Sequence, residues 1–276
     1  MQMKNAELFG RKIQMSNVED WVKRFNIPLD GIIHIGAHLC QESDTYRALG
    51  TRKVLWVESD PNLIPEGKMV IEEFQNQSLI NETLWSSSTT LDMHYASNGG
   101  GSSSIYDFHL HKASYPDISM DRTLKVKTIT LDQLFSKYDL KTKDFNFMIL
   151  DVQGAELEVL KGSKGILQNI NFIISEVSTR ELYKGAPKFL EVTNWLKIKG
   201  FKLVASRIDN TTGWGDALFL RNEIEINRSE NGQRDDFQTV NRQISLGTFL
   251  RLVLIRLNLP ATWLSRGKFF RIFHKK

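Results

Sequence analysis

Residues 31–46 read G-I-I-H-I-G-A-H-L-C-Q-E-S-D-T-Y. The apolar run Ile32, Ile33 and Ile35 ends in Gly36-Ala37, and a polar loop then leads into a helix predicted from Glu42 to about Leu49. This is the pattern of a buried parallel strand that turns sharply into a helix, which predicts backbone N–H groups without partners at the lip of a crevice. Small residues at such a turn let a polar or charged cofactor come close to the backbone. A second apolar strand, Val54 to Val57, ends in Glu58, 22 residues after Gly36. An acid at the tip of the second strand, about 20 residues past the glycine turn, is where nucleotide-type folds grip a ribose. The dinucleotide pattern G-x-G-x-x-G would need glycines where His38 and Gln41 stand, so an adenosine without a diphosphate is favoured. Strand-Gly-Ala turns also occur for packing alone, and the rest of the chain decides.

With 41% apolar and 25% charged residues in 276, the composition is that of an ordinary globular protein, and one α/β domain of about 200 to 220 residues with appendages fits. Cys40 is the single cysteine, so no disulfide can form within the chain, and a reducing compartment is expected. The first residues lack a signal-peptide core, and no run approaches the roughly 20 apolar residues that span a bilayer. The expected location is the cytoplasm, with attachment to the cytosolic membrane face as an extension of it. Charge is unevenly placed. From Arg242 onward there are eight Lys or Arg and no Asp or Glu; without those eight, the other 28 bases face 32 acids and the body is net −4. The body therefore has no general affinity for polyanions.

Ser16 to Glu19 forms a capping box followed by Val18, Trp21, Val22 and Phe25 at helical spacing, which predicts a helix lying on the sheet within an N-terminal extension, residues 1–30. A helix over Pro65 to Phe74 and a strand over Ser78 to Leu84 come next, then a strand over Thr89 to Ala96. Asn98 to Ser104, N-G-G-G-S-S-S, is either a solvated linker or a loop of donors beside a ligand. His109, His111 and Tyr115 lie in an irregular insertion. A strand over Leu124 to Ile129 and a capped helix through Tyr138 lead to the buried strand Phe145 to Leu150, which ends in Asp151. A helix over Ala155 to Lys161, a strand over Phe172 to Ser175 ending in Glu176, a helix opened by Pro187, and strands over Phe201 to Ala205 and Ala217 to Leu220 complete the body, residues 31–222. Alternating strands and helices predict a doubly wound, mostly parallel sheet with helices on both faces.

Glu58, Asp151 and Glu176 each follow an apolar strand, and in such sheets the crevice lies at the carboxyl ends of the strands. Strand-end acids also cap helices or pair with bases, so their convergence is the expectation to examine.

Seven ordered segments now carry a resemblance: I-H-I-G-A-H, W-V-E-S-D-P, N-G-G-G-S-S-S-I, T-L-D-Q-L, L-D-V-Q-G-A-E-L-E-V-L-K-G, S-E-V-S-T-R-E-L-Y-K-G and G-D-A-L-F-L. Together they resemble the FkbM family of S-adenosylmethionine-dependent methyltransferases over Gly31 to Arg221. The resemblance implies a class I, Rossmann-like fold and methyl transfer from S-adenosylmethionine to a hydroxyl oxygen, often of a sugar or another small metabolite. By position it places Gly36, Ala37 and His38 along the methionine part of the cofactor, Glu58 at its ribose, Asn81 and Glu82 near the adenine, and Asp151 and Gln153 facing the sulfonium. Ser103 and Ser104 fall at the mouth of the active site. Leu39-Cys40 departs from the family, whose members often have a glycine there, and this bears on the shape of the loop.

A cationic sulfonium suits strand-end carboxylates and needs no pyrophosphate cradle. An alcohol is a poor nucleophile, so a base must take its proton; the candidates are Asp151, Glu176, His109 and His111, with the two carboxylates preferred by position. The chain has no Pro-Pro pair, so the block that holds a flipped base in nucleic-acid amine methyltransferases is missing, and nucleic acid is not the expected substrate. The six histidines show no zinc-type spacing, and no metal is called for. Residues 223–241 read as a polar linker. Residues 242–276 read as a basic amphipathic helical tail, in which Trp263, Phe269, Phe270 and Phe273 interleave with bases. Such a tail suits an anionic membrane surface, each base adding about 1 kcal/mol, or packing against the body or a second protomer as a homodimer. The rival readings are a Rossmann-type NAD-dependent oxidoreductase and a catalytically inactive, membrane-recruited binding module.

Overall fold

The computed structural model describes residues 16–225 and the strand at 237–240. In chain order the elements are α1 (Ser16–Arg24), β1 (Gly31–Ile35), α2 (Ser43–Ala48), β2 (Lys53–Glu58), α3 (Ile64–Ile71), β3 (Gln77–Asn81), β4 (Thr83–Leu84), β5 (Thr90–Ala96) and α4 (His111–Ser114). They continue as β6 (Met120–Ile129), α5 (Leu131–Lys137), β7 (Phe147–Leu150), α6 (Glu156–Lys161), β8 (Phe172–Ser178), α7 (Phe189–Ile198), β9 (Phe201–Asp209), β10 (Trp214–Arg221) and β11 (Phe237–Val240).

The main sheet has the order β11-β9-β10-β8-β7-β1-β2-β3, with β10 running antiparallel to both its neighbours and the other pairs parallel. β1 sits between β2 and β7 and is buried along its whole length, which explains why it reads as an apolar run without polar alternation. Successive side chains point to opposite faces. Ile33 and Ile35 meet Leu134 of α5, Leu160 of α6 and Leu196 of α7 in one core. Ile32 meets Trp21 of α1, Phe25 just after it and Ile71 of α3 in the other, so helices cover both faces as expected. Burying each of these isoleucines contributes about 2 kcal/mol. His34 packs against the Trp56 ring, tilted at 4.8 Å, and is bonded to the Tyr46 hydroxyl at 2.8 Å; burial lowers its pKa to about 3, so it is a neutral core residue.

Four expectations change. The strand predicted over 78–84 breaks at Glu82: β3 stays in the main sheet, whereas β4 pairs with β6 in a separate three-stranded sheet. The strands predicted at 89–96 and 124–129 do not join the wound sheet. They pair antiparallel as β5 and β6, because the helix between them, α4, is only four residues long and too short to carry the chain across a sheet face. β8 runs on to Ser178, so Glu176 lies inside the strand, opposite Asp216 of β10. The stretch read as linker, 223–241, contains β11, which adds to the sheet edge beside β9. The tail at 242–276 and residues 1–15 lie outside the described residues. Among the described residues no helix is long and apolar enough to cross a membrane.

Candidate active site

Gly36 turns the chain at the end of β1 with φ +87°, and a Cβ there would stand 1.8 Å from the Asp151 carbonyl oxygen at the end of β7. Two strand ends thus touch through a position that only glycine can fill. The amides of this turn are not free, contrary to the prediction: Gly36 and Ala37 N–H both donate to the Val57 carbonyl (2.9 and 3.1 Å), and His38 N–H donates to Glu58 Oε2 (2.7 Å). The turn bends back over β2, which uses up the donors that a phosphate would need. His38 and Cys40 both take left-handed backbone, φ +46° and +55°. Cys40 is the departure noted above; its thiol is fully buried, and burial pushes its pKa up, so it packs and does not react.

Glu58 is 7% exposed and accepts three bonds, from His38 N–H and Asp60 N–H (2.8 Å) and from the Ser59 hydroxyl (3.3 Å). Burial raises its pKa, partly offset by those amides. Across from it, His38 closes the glycine-serine loop. Its Nδ1 accepts from the Gln41 amide (2.7 Å), so Nε2–H donates to the Gly99 carbonyl (3.0 Å). That loop is therefore part of the site and not a solvated linker: the Ser104 hydroxyl donates to the Gln153 carbonyl (2.7 Å), and Ser103 Oγ accepts from Ala96 N–H (3.1 Å).

Gln153, itself at φ +53°, ties the acids together. Its Nε2 donates to Asp151 Oδ1 (2.6 Å) and to Glu176 Oε2 (2.9 Å), while its Oε1 accepts from the Tyr183 hydroxyl (2.6 Å).

These elements line an open hollow of about 650 Å³, counting the solvent at its mouth. Gly36, His38, Glu58, Glu82, Ser103, Ser104, Asp151 and Gln153 all line it. Ala37, Asn81, Glu176, His109 and His111 do not. Ala37 is buried in the core beneath the turn, and Asn81 donates to the Glu58 and Ser59 carbonyls, bracing the loop after β2. Glu176 faces a second, smaller hollow. His109 lies at the surface against the Glu181 carbonyl (3.1 Å), and His111 is fully buried, stacked on Phe108 at 4.1 Å. Neither histidine is in reach of the first hollow as a base. Among the described residues no Lys or Arg lines that hollow.

Residues 34–203 match the Methyltransferase FkbM domain. The chain belongs to the FkbM methyltransferase family. It is similar to the 2-O-methyltransferase NoeI of Sinorhizobium fredii, 29% identical over 184 residues that make up 63% of this chain and 73% of NoeI. A shorter match, 38% identical over 60 residues, joins it to the hexuronic acid methyltransferase AglP of Haloferax volcanii, covering 22% of this chain and 24% of AglP. A crystal structure of magnesium protoporphyrin IX methyltransferase from Synechocystis superposes with a TM-score of 0.46 at 11% identity, over 80% of this chain and 86% of the other.

The FkbM domain here carries two buried acids that the sequence reading passed over. Glu156 Oε1 accepts from Val152 N–H and Gly154 N–H (3.1 Å each), pinning the loop after β7, and burial raises its pKa to about 7. The acid in the first turn of α6 was the available signal. Glu42, before α2, is also raised to about 7, by burial and then by the Asp151 charge, and nothing in its sequence neighbourhood announced it. A folded-state pKa above the ordinary 4.5 means that the proton stabilises the fold: the contribution is complete below about 4.5 and is lost as pH rises through about 7. Glu42→Gln should therefore flatten the fall in melting temperature between those pH values and be more stable than wild type above them by about 3 kcal/mol, as measured by thermal denaturation across pH.

Proposed function

We propose that this chain transfers a methyl group from S-adenosylmethionine to a hydroxyl oxygen of a sugar or glycan precursor. One observation carries the reading: the hollow beside Gly36 gathers Glu58 and Asp151 with no Lys or Arg in its lining among the described residues, Glu82 being paired with Lys137 outside it, and the turn amides are already bonded. That donor set fits a cationic, ribose-bearing ligand and opposes a pyrophosphate, which disfavours the NAD-dependent oxidoreductase. When bound, the sulfonium supplies an electrophilic methyl group. The protein's part is to hold the ribose at Glu58, to neutralise the cation with Asp151, and to align an acceptor oxygen while excluding water. Sugar hydroxyls as acceptors are supported by the names of NoeI and AglP, a 2-O-methyltransferase and a hexuronic acid methyltransferase.

Incubating the full-length chain with methyl-labelled S-adenosylmethionine and an extract of the source cells should label a saccharide or a lipid-linked saccharide. Label in nucleic acid, or a chain that binds the donor and yields no labelled product, would contradict the reading, and the second result would favour the binding-module rival. The basic tail, 242–276, enters as part of the same proposal: a cytoplasmic enzyme held at an anionic leaflet where lipid-linked sugars are found. Sedimentation with anionic vesicles at low salt, lost on deletion from residue 242, would support it; a dimer that becomes monomeric on the same deletion would contradict it.

A further inference from the structure

The second hollow, about 370 Å³ counting the solvent at its open mouth, has Gly154, the residue after Gln153, in its lining. Glu156, Glu176, Arg180, Tyr183 and Trp214 are among its walls. One amide group joins the two spaces, since Gln153 Nε2 reaches Asp151 in the first and Glu176 in the second. The Tyr183 hydroxyl on Gln153 Oε1 fixes which end of the amide faces the carboxylates.

Trp214 opens β10 and is half-buried, backed by Tyr115 edge-on at 6.0 Å and by His111 at 6.3 Å. The insertion after the glycine-serine loop supplies that backing, so its aromatic residues brace a wall of the second hollow. At the rim, exposed Arg180 is held by the carbonyls of Thr211 and Asn210, which take two of its five N–H groups. A pyranose has an apolar C–H face and an edge of hydroxyls. An indole wall suits the face, and a carboxylate with a guanidinium suits the edge.

We propose that the second hollow seats the pyranose ring of the acceptor against Trp214, with Glu176 as the base. This rests on the methyl-transfer reading above. The hydroxyl proton passes to the Glu176 carboxylate as the sugar oxygen forms its bond to the donor's methyl carbon; the S–C bond breaks and its electron pair stays on sulfur. Asp151 remains on the donor side, and Tyr183 is a positioning residue acting through Gln153.

The test uses full-length Trp214→Ala, Trp214→Phe and Glu176→Gln with the saccharide fraction labelled by wild type, measuring kcat, acceptor KM, the pH profile and, by calorimetry, donor Kd. Trp214→Ala should raise the acceptor KM about 10-fold, and Trp214→Phe, which keeps a flat ring, about 3-fold, with donor Kd unchanged. Glu176→Gln should lower kcat by about 100-fold or more and remove the limb of the profile that rises with pH. An unchanged acceptor KM in both Trp214 variants, or a Glu176→Gln enzyme that keeps kcat and the rising limb, would overturn the assignment. If Trp214→Ala does not fold, the Phe variant carries the comparison. A wild type that fails to bind S-adenosylmethionine would instead overturn the methyl-transfer reading beneath it, and the acceptor site with it.

Discussion

Gly36→Ala should cost the fold at least about 3 kcal/mol, or abolish it, because the added carbon meets backbone and not a side chain that could swing away. The nearest atom would be the Asp151 carbonyl oxygen at 1.8 Å, with its carbonyl carbon at 2.7 Å, so relief requires the ends of β1 and β7 to separate. Gly50→Ala is the control. Gly50 also has positive φ, +76°, but nothing lies within 4 Å of a Cβ built there, so only the backbone preference is lost, about 1 kcal/mol. Denaturant midpoints of the two variants separate the contributions. Equal, small shifts would mean that β1 and β7 do not approach as described, and the floor of the hollow would be wrong.

Glu58→Ala should weaken the donor by about 100-fold, since hydrogen bonds from two ribose hydroxyls to a carboxylate are worth about 1.5 kcal/mol each at the lower limit. The variant also leaves His38 N–H and Asp60 N–H without their acceptor, so some stability goes with it. Equilibrium binding of S-adenosylhomocysteine, which has the same ribose and no sulfonium charge, isolates the ribose contact. A loss of similar size for both ligands is expected; unchanged affinity for both would remove Glu58 from the site.

The frame of the fold was legible in the chain because burial leaves a periodic trace. Ile32 to Ile35, Val54 to Val57 and Phe147 to Leu150 are buried on both faces, and continuous apolar runs report that directly. Their polar ends, Gly36, Glu58 and Asp151, were found for the same reason. What periodicity does not record is the partner. Thr83 and Leu84 look like the continuation of β3, yet they pair with Thr128 and Ile129, some 45 residues on. Gln153 meets Tyr183, 30 positions away, through side chains alone, and Glu176 belongs to a second hollow by the length of β8. The turn amides were misjudged because their acceptor, the Val57 carbonyl, is a backbone atom of another strand and leaves no residue-type signal. Composition likewise concealed the glycine-serine loop, whose attachment to His38 depends on a histidine tautomer set by Gln41.

The proposed function requires that Asp151 and its neighbouring acids favour a positively charged sulfur. Calorimetric titration of wild type and Asp151→Asn with S-adenosylmethionine and S-adenosylhomocysteine addresses it directly, because the two ligands differ at sulfur by one methyl and one charge. Wild type should prefer the charged ligand, and Asp151→Asn should lose about 10-fold more affinity for it than for the neutral one. Equal losses for the two ligands, or a wild type that binds NAD more tightly than either, would contradict the account.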